Sequence, residues 1–240
     1  MSSTSALSAV PGSRSFDSSI APAWHTVVVL VVMLGLSFFG ANTDLPAISR
    51  AHGRAPSYLI VIAFEWVVVA FIWWGMSRRG VRMSDLVGGN WARPVHLVRD
   101  LGIAVAFILI FGGGVLQGLT YLLKAAPPQT MRAMMPQTRA ELIVWVFMSL
   151  TAGFCEEVIF RGYLQRQFSV FTHSLAGGIV LQAIAFGLGH GYQGWKFMSI
   201  IAVYGACFGL LAQWRRSLRP GMLGHALQDT AGGFVGYFMR

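Results

Sequence analysis

Seven apolar runs, each near the ~20 residues that a helix needs to cross a bilayer core, set the terms on which this chain can fold. They extend from Trp24 to Ala41, Tyr58 to Met76, Leu101 to Leu123, Leu142 to Gln165, Leu175 to His190, Trp195 to Trp214 and Met222 to Met239. Hydrocarbon offers no partner to a backbone N–H or C=O, so such runs fold as helices that satisfy their own backbone. The pattern predicts an all-α fold, a polytopic integral membrane helical bundle. Residues 1–22, rich in Ser, Ala and Pro, are expected to form a mobile tail, and residues 23–240 a single transmembrane domain. The first run is read as an uncleaved span, because no small-x-small site ends it. In residues 124–140 Pro127, Pro128 and Pro136 flank a Met-rich stretch that reads as an interfacial segment.

Composition agrees: 55% of the 240 residues are hydrophobic, 11% are charged, and the mean hydropathy is +0.60. The net charge of +9 does not mark a nucleic-acid binder, because the basic residues are nearly all arginines in short connections between apolar runs. A lipid surface explains them better. Arg78, Arg79, Arg82, Arg93 and Arg99 lie between the second and third runs, and Arg215, Arg216 and Arg219 between the sixth and seventh. Seven crossings put both groups on one side, which the positive-inside rule makes cytoplasmic, with the N-terminus inside. The expected location is the inner (plasma) membrane. Cys155 and Cys207 both fall in apolar runs and are read as packing residues. His25, His52 and His96 lie at run edges or in connections and are read as surface residues.

Nine acidic residues are present, and Glu65, Glu156, Glu157 and Asp229 fall inside the apolar runs, where a carboxylate is costly and marks function. On a helix Glu157 shares a face with Arg161, four residues on, while Glu156 points elsewhere. One acid is paired and the other is free. His190 closes the fifth run; His225 opens the seventh, one helical turn before Asp229. A buried carboxylate beside an imidazole can deprotonate a water, and a second imidazole can stabilise charge on a carbonyl oxygen. Glu156, His190, His225 and Asp229 also supply the ligand types of a hydrolytic zinc, so the residues leave open a reaction with no cofactor and one with zinc. Either route is hydrolysis.

The order Glu-Glu-x-x-x-Arg, Phe-x-x-x-His and His-x-x-x-Asp on successive apolar segments resembles the CAAX prenyl endopeptidase and bacteriocin-processing (type II CAAX) family of intramembrane proteases, over roughly residues 142–239. The resemblance implies about eight transmembrane helices around a polar cavity, where span length alone gives seven, so seven to eight are expected. It implies that Glu156 and His190 hold the attacking water, that His225 and Asp229 face the scissile carbonyl, and that Glu157 and Arg161 support them. Membrane lipid and a peptide or lipidated protein, prenylated or carrying a leader, are the implied partners. The rival readings are a non-catalytic immunity or scaffold protein, and a proton-coupled transporter with a Glu65, Glu157 and Asp229 relay. One geometric condition follows for an enzyme. In simple crossing spans Glu156, His190 and His225 lie at different depths, so the fifth helix must be broken or shortened, for which Gly177, Gly178, Gly187, Gly189 and Gly191 provide the means.

Overall fold

A computed structural model describes residues 19–239; the mobile-tail expectation concerns residues 1–18, outside the described residues, and four that follow. Seven helices occupy the places of the seven apolar runs: α1 (Ala23–Ala41), α3 (Ala55–Ser77), α5 (Pro94–Leu122), α7 (Arg139–Phe171), α8 (Leu175–Gly189), α9 (Gly194–Arg215) and α10 (Arg219–Phe238). Short helices α2 (Leu45–His52), α4 (Met83–Val87) and α6 (Gln129–Met134) lie in the connections. Among the described residues there is no strand. Five helices (α1, α3, α5, α7 and α9) are by themselves long and apolar enough to cross a membrane. The 15 residues of α8 reach only about 22 Å, against a core of about 30 Å. With its six residues, α6 cannot span, in keeping with an interfacial segment.

The connections meet at two ends. At one end Ser217 Oγ and Leu218 N–H donate to Val87 C=O, and Arg166 donates to Asp85 C=O, so the two arginine-rich connections lie side by side. Gly88, at φ +77°, permits this contact, since a Cβ there would come within 2.7 Å of Ser217 Cα. At the other end α6 folds over the bundle: Tyr58 Oη donates to Met134 C=O, Arg54 Nε to Ala133 C=O, and Thr130 Oγ1 to Tyr192 C=O. Large apolar side chains face outward, among them Val31, Ile60, Val67, Leu109 and Leu210. In water such a surface would aggregate; in a bilayer it is the solvated face.

At the centre of the bundle, α7 is started by a reciprocal cap, in which Thr138 Oγ1 accepts Glu141 N–H and the Glu141 carboxylate accepts Thr138 N–H. It packs against α3 and α10. Gly153 sets the crossing with α10: a Cβ there would lie 2.7 Å from both Ala226 Cβ and Met222 O. From Glu157 to Leu164 the helix widens to π geometry, and all eight of these residues are buried. His25 is a correction to the surface reading. It is fully buried, with Nδ1 2.8 Å from Tyr163 Oη, Nε2 2.9 Å from Phe71 O and its ring stacked on Phe71. A run-edge position became core because Tyr163 of α7 and Phe71 of α3 close over it; beside it, Gln167 Nε2 donates to Ala21 C=O and Thr26 Oγ1.

Candidate active site

The π segment turns Glu157 toward two partners at once. Its Oε1 accepts from Arg161 Nη1 at 2.9 Å and from His225 Nδ1 at 3.2 Å. A single carboxylate therefore ties the cation one turn along α7 to an imidazole on α10, and all three side chains are buried or nearly so. Arg161 is held further by Gly205 C=O, to which Nη2 donates at 3.3 Å, and by the rings of Phe186 and Phe208, 4.2 and 5.0 Å from its guanidinium carbon. Gly221 gives α10 the clearance to approach, since a Cβ there would lie 2.9 Å from Glu157 Oε2.

Glu156 looks away from Arg161, as the 100° step requires, yet it reaches the same imidazole from the other side. His225 Nε2 lies 3.6 Å from Glu156 Oε2 and 3.5 Å from Asp229 Oδ2. Thus Nδ1 is engaged by Glu157, and Nε2 faces two further carboxylates. Asp229 is the most open member, its side chain 38% exposed, so the group is reached from that side. Asp229 C=O also accepts from Trp145 Nε1 at 2.8 Å, which fixes this turn of α10 against α7.

His190 is the C-cap of α8, and its Nδ1 is 2.9 Å from Phe186 O. The Phe186 ring stands between the two imidazoles, 4.8 Å from His190 and 6.1 Å from His225. His190 lies within Coulombic range of Asp229. The depth difficulty dissolves once the two helices are measured from a shared contact. The rings of Phe160 and Phe186 meet at 4.9 Å, and in the antiparallel pair Glu156 and His190 each lie four residues further toward the same end. This works because α8 is short and α7 runs on to Phe171.

Two contributors come from helices that carry none of the three motifs. Ser37 on α1 donates from Oγ to Leu188 C=O at 2.7 Å and accepts Gly191 N–H at 3.0 Å, clamping the backbone on both sides of His190. A serine in an apolar run gives no sequence signal of such a role. Glu65 on α3, 4% exposed, has an Oε2 without a hydrogen-bond partner and lies within Coulombic range of Glu156, His225 and Asp229. Glu156 Oε2 and Glu157 Oε2 are likewise buried without hydrogen-bond partners. Three such oxygens mark a region that calls for donors, whether water or substrate N–H. Among the described residues no group of three or more His, Cys, Asp or Glu side chains is spaced to hold a metal ion. The arrangement does not fit a zinc site, and no step below runs through one.

Residues 138–231, which carry all three motifs, match the family model described as Type II CAAX prenyl endopeptidase Rce1-like. That stretch is Rce1-like. By its description, that family is one of type II CAAX prenyl endopeptidases. No curated protein and no solved structure matches the chain. The Rce1-like region begins at the cap of α7 and ends within α10, so it spans Glu156, Glu157, Arg161, His190, His225 and Asp229 and leaves out Ser37 and Glu65.

Proposed function

We propose that this protein hydrolyses a peptide bond of a membrane-associated peptide, prenylated or carrying a leader, with water activated by Glu156 and His190. The observation that carries the reading is the meeting of Glu156, Asp229 and Glu157 around one imidazole, with His190 at matching depth on the neighbouring helix. In this reading Glu156 takes the proton of a water that His190 orients through Nε2, its Nδ1 being occupied at Phe186 O. The hydroxide attacks the scissile carbonyl. His225, held at Nδ1 by Glu157, donates from Nε2 in its protonated form to the developing oxyanion. An ionised Asp229 has no proton to donate, so its part is to orient His225 Nε2. Glu156 then returns the proton to the departing amine. The most exposed group, Asp229, marks the side from which an extended peptide enters. The arginine-rich end faces the cytoplasm of an inner membrane.

The test is cleavage of a library of membrane-proximal peptides, farnesylated and unmodified, by the purified full-length protein. Glu156→Gln and His190→Ala should each lower kcat by about 10²–10⁴-fold, the usual size of a general acid–base contribution, with the unfolding midpoint unchanged. Full activity in either variant would overturn the assignment. Preference for the farnesylated peptides would fix the substrate class, and preference for unmodified ones would favour leader peptides.

A further inference from the structure

At the arginine-rich end a second buried carboxylate is surrounded by more positive charge than it can neutralise. Asp100 on α5 is fully buried. Its Oδ1 accepts from Arg99 Nε at 3.1 Å and Nη2 at 2.9 Å; its Oδ2 accepts from Trp91 Nε1 at 3.1 Å and meets Arg219 Nε at 3.2 Å. Both oxygens are thus occupied. A third guanidinium, Arg215, stands 3.9 Å from Oδ1, too far to hydrogen-bond, and its buried Nε has no hydrogen-bond partner. Three arginines against one aspartate leave a surplus of two positive charges.

The surplus is not spread over open surface. The Arg215 and Arg219 side chains are only 22% and 9% exposed, so water does little to solvate them, while Arg99, at 45%, opens the shell outward. A partly desolvated surplus of this kind is stable when an anion completes it. The surroundings indicate which anion. Arg215 lies over the Trp214 ring at 5.3 Å, and that indole is 69% exposed, as is usual at headgroup depth. Arg219 lies 5.9 Å from Trp91. The nearby connections carry Arg78, Arg79, Arg82 and Arg93, which favours the leaflet that is rich in anionic lipid. We propose that Arg99 and Arg215, set around Asp100 and Arg219, bind the phosphate of an anionic phospholipid headgroup. Arg219 opens α10 six residues before His225, so a bound lipid would steady the end of the helix that carries this imidazole.

The proposal does not depend on proteolysis and is tested by binding. The full-length protein, purified in a zwitterionic detergent, is given equal phosphatidylglycerol and phosphatidylcholine, and retained lipid is counted by native mass spectrometry. Wild type should retain phosphatidylglycerol preferentially. The Arg99→Gln/Arg215→Gln variant, which leaves the Asp100 and Arg219 contact intact, should bind it about tenfold or more weakly. The Arg82→Gln/Arg93→Gln variant, with the same charge removed from exposed positions at the same end, should keep the preference. A parallel arm adds either phosphatidylglycerol or millimolar inorganic phosphate to protein in phosphatidylcholine and follows the unfolding midpoint. Equal loss in both variants would overturn the site in favour of general surface charge. Stabilisation by free phosphate as large as that by phosphatidylglycerol would overturn the lipid assignment.

Discussion

Arg161→Ala tests whether the buried chain of Arg161, Glu157 and His225 organises the centre of the bundle. Both members of the ion pair are fully buried, at 2.9 Å, inside a wall formed by Phe160, Phe186 and Phe208. Removing the guanidinium leaves Glu157 with one remaining hydrogen-bond donor, His225 Nδ1, and leaves Gly205 C=O without its Arg161 donor. Breaking a buried pair from one side costs about 3–5 kcal/mol, which is roughly a 10²- to 10³-fold change or more in the folding equilibrium. Replacing both partners with neutral groups of similar volume costs far less, because no charge is stranded. The Arg161→Met/Glu157→Gln protein should therefore recover most of the stability that Arg161→Ala loses. Denaturant unfolding of wild type and both variants, purified in mixed micelles, measures the difference. An Arg161→Ala protein within about 1 kcal/mol of wild type would refute the reasoning, since that loss is typical of an exposed pair.

Ser37→Ala removes two hydrogen bonds that flank His190, each contributing about 1 kcal/mol, and should lower kcat by roughly tenfold or more with KM little changed. Steady-state cleavage kinetics would show it, and an unaltered kcat would mean that α1 does not position His190. Glu65→Leu removes a buried acid whose Oε2 has no hydrogen-bond partner, and should raise stability by about 1–3 kcal/mol. Lower stability in the same unfolding assay would show that Glu65 has a partner holding it in place.

The spans were legible because burial of a backbone in hydrocarbon forces long apolar runs, and the seven helices lie where those runs lie. Their ends were not. Gln165 reads as the end of the fourth run, with Arg166 and Gln167 beyond it, yet their side chains donate to backbone carbonyls of α9, α4 and Ala21 just before α1, and the helix continues to Phe171. That extension, with the short α8, gives Glu156 and His190 a common depth, which span-by-span counting did not show. The pairing of Glu157 with Arg161 followed from helical spacing and is present. The second bond of Glu157, to His225 on another helix, is a tertiary contact that spacing along one helix does not encode. Ser37 and His25 were missed for the same reason, because each owes its role to the element packed against it.

The most direct test of the account is to incubate the purified protein with membrane-proximal peptides and sequence the new termini by mass spectrometry, comparing wild type with Glu156→Gln at matched unfolding midpoints. Wild type should give discrete cleavage products and the variant none above background. Equal products from both proteins would contradict a reaction driven by Glu156.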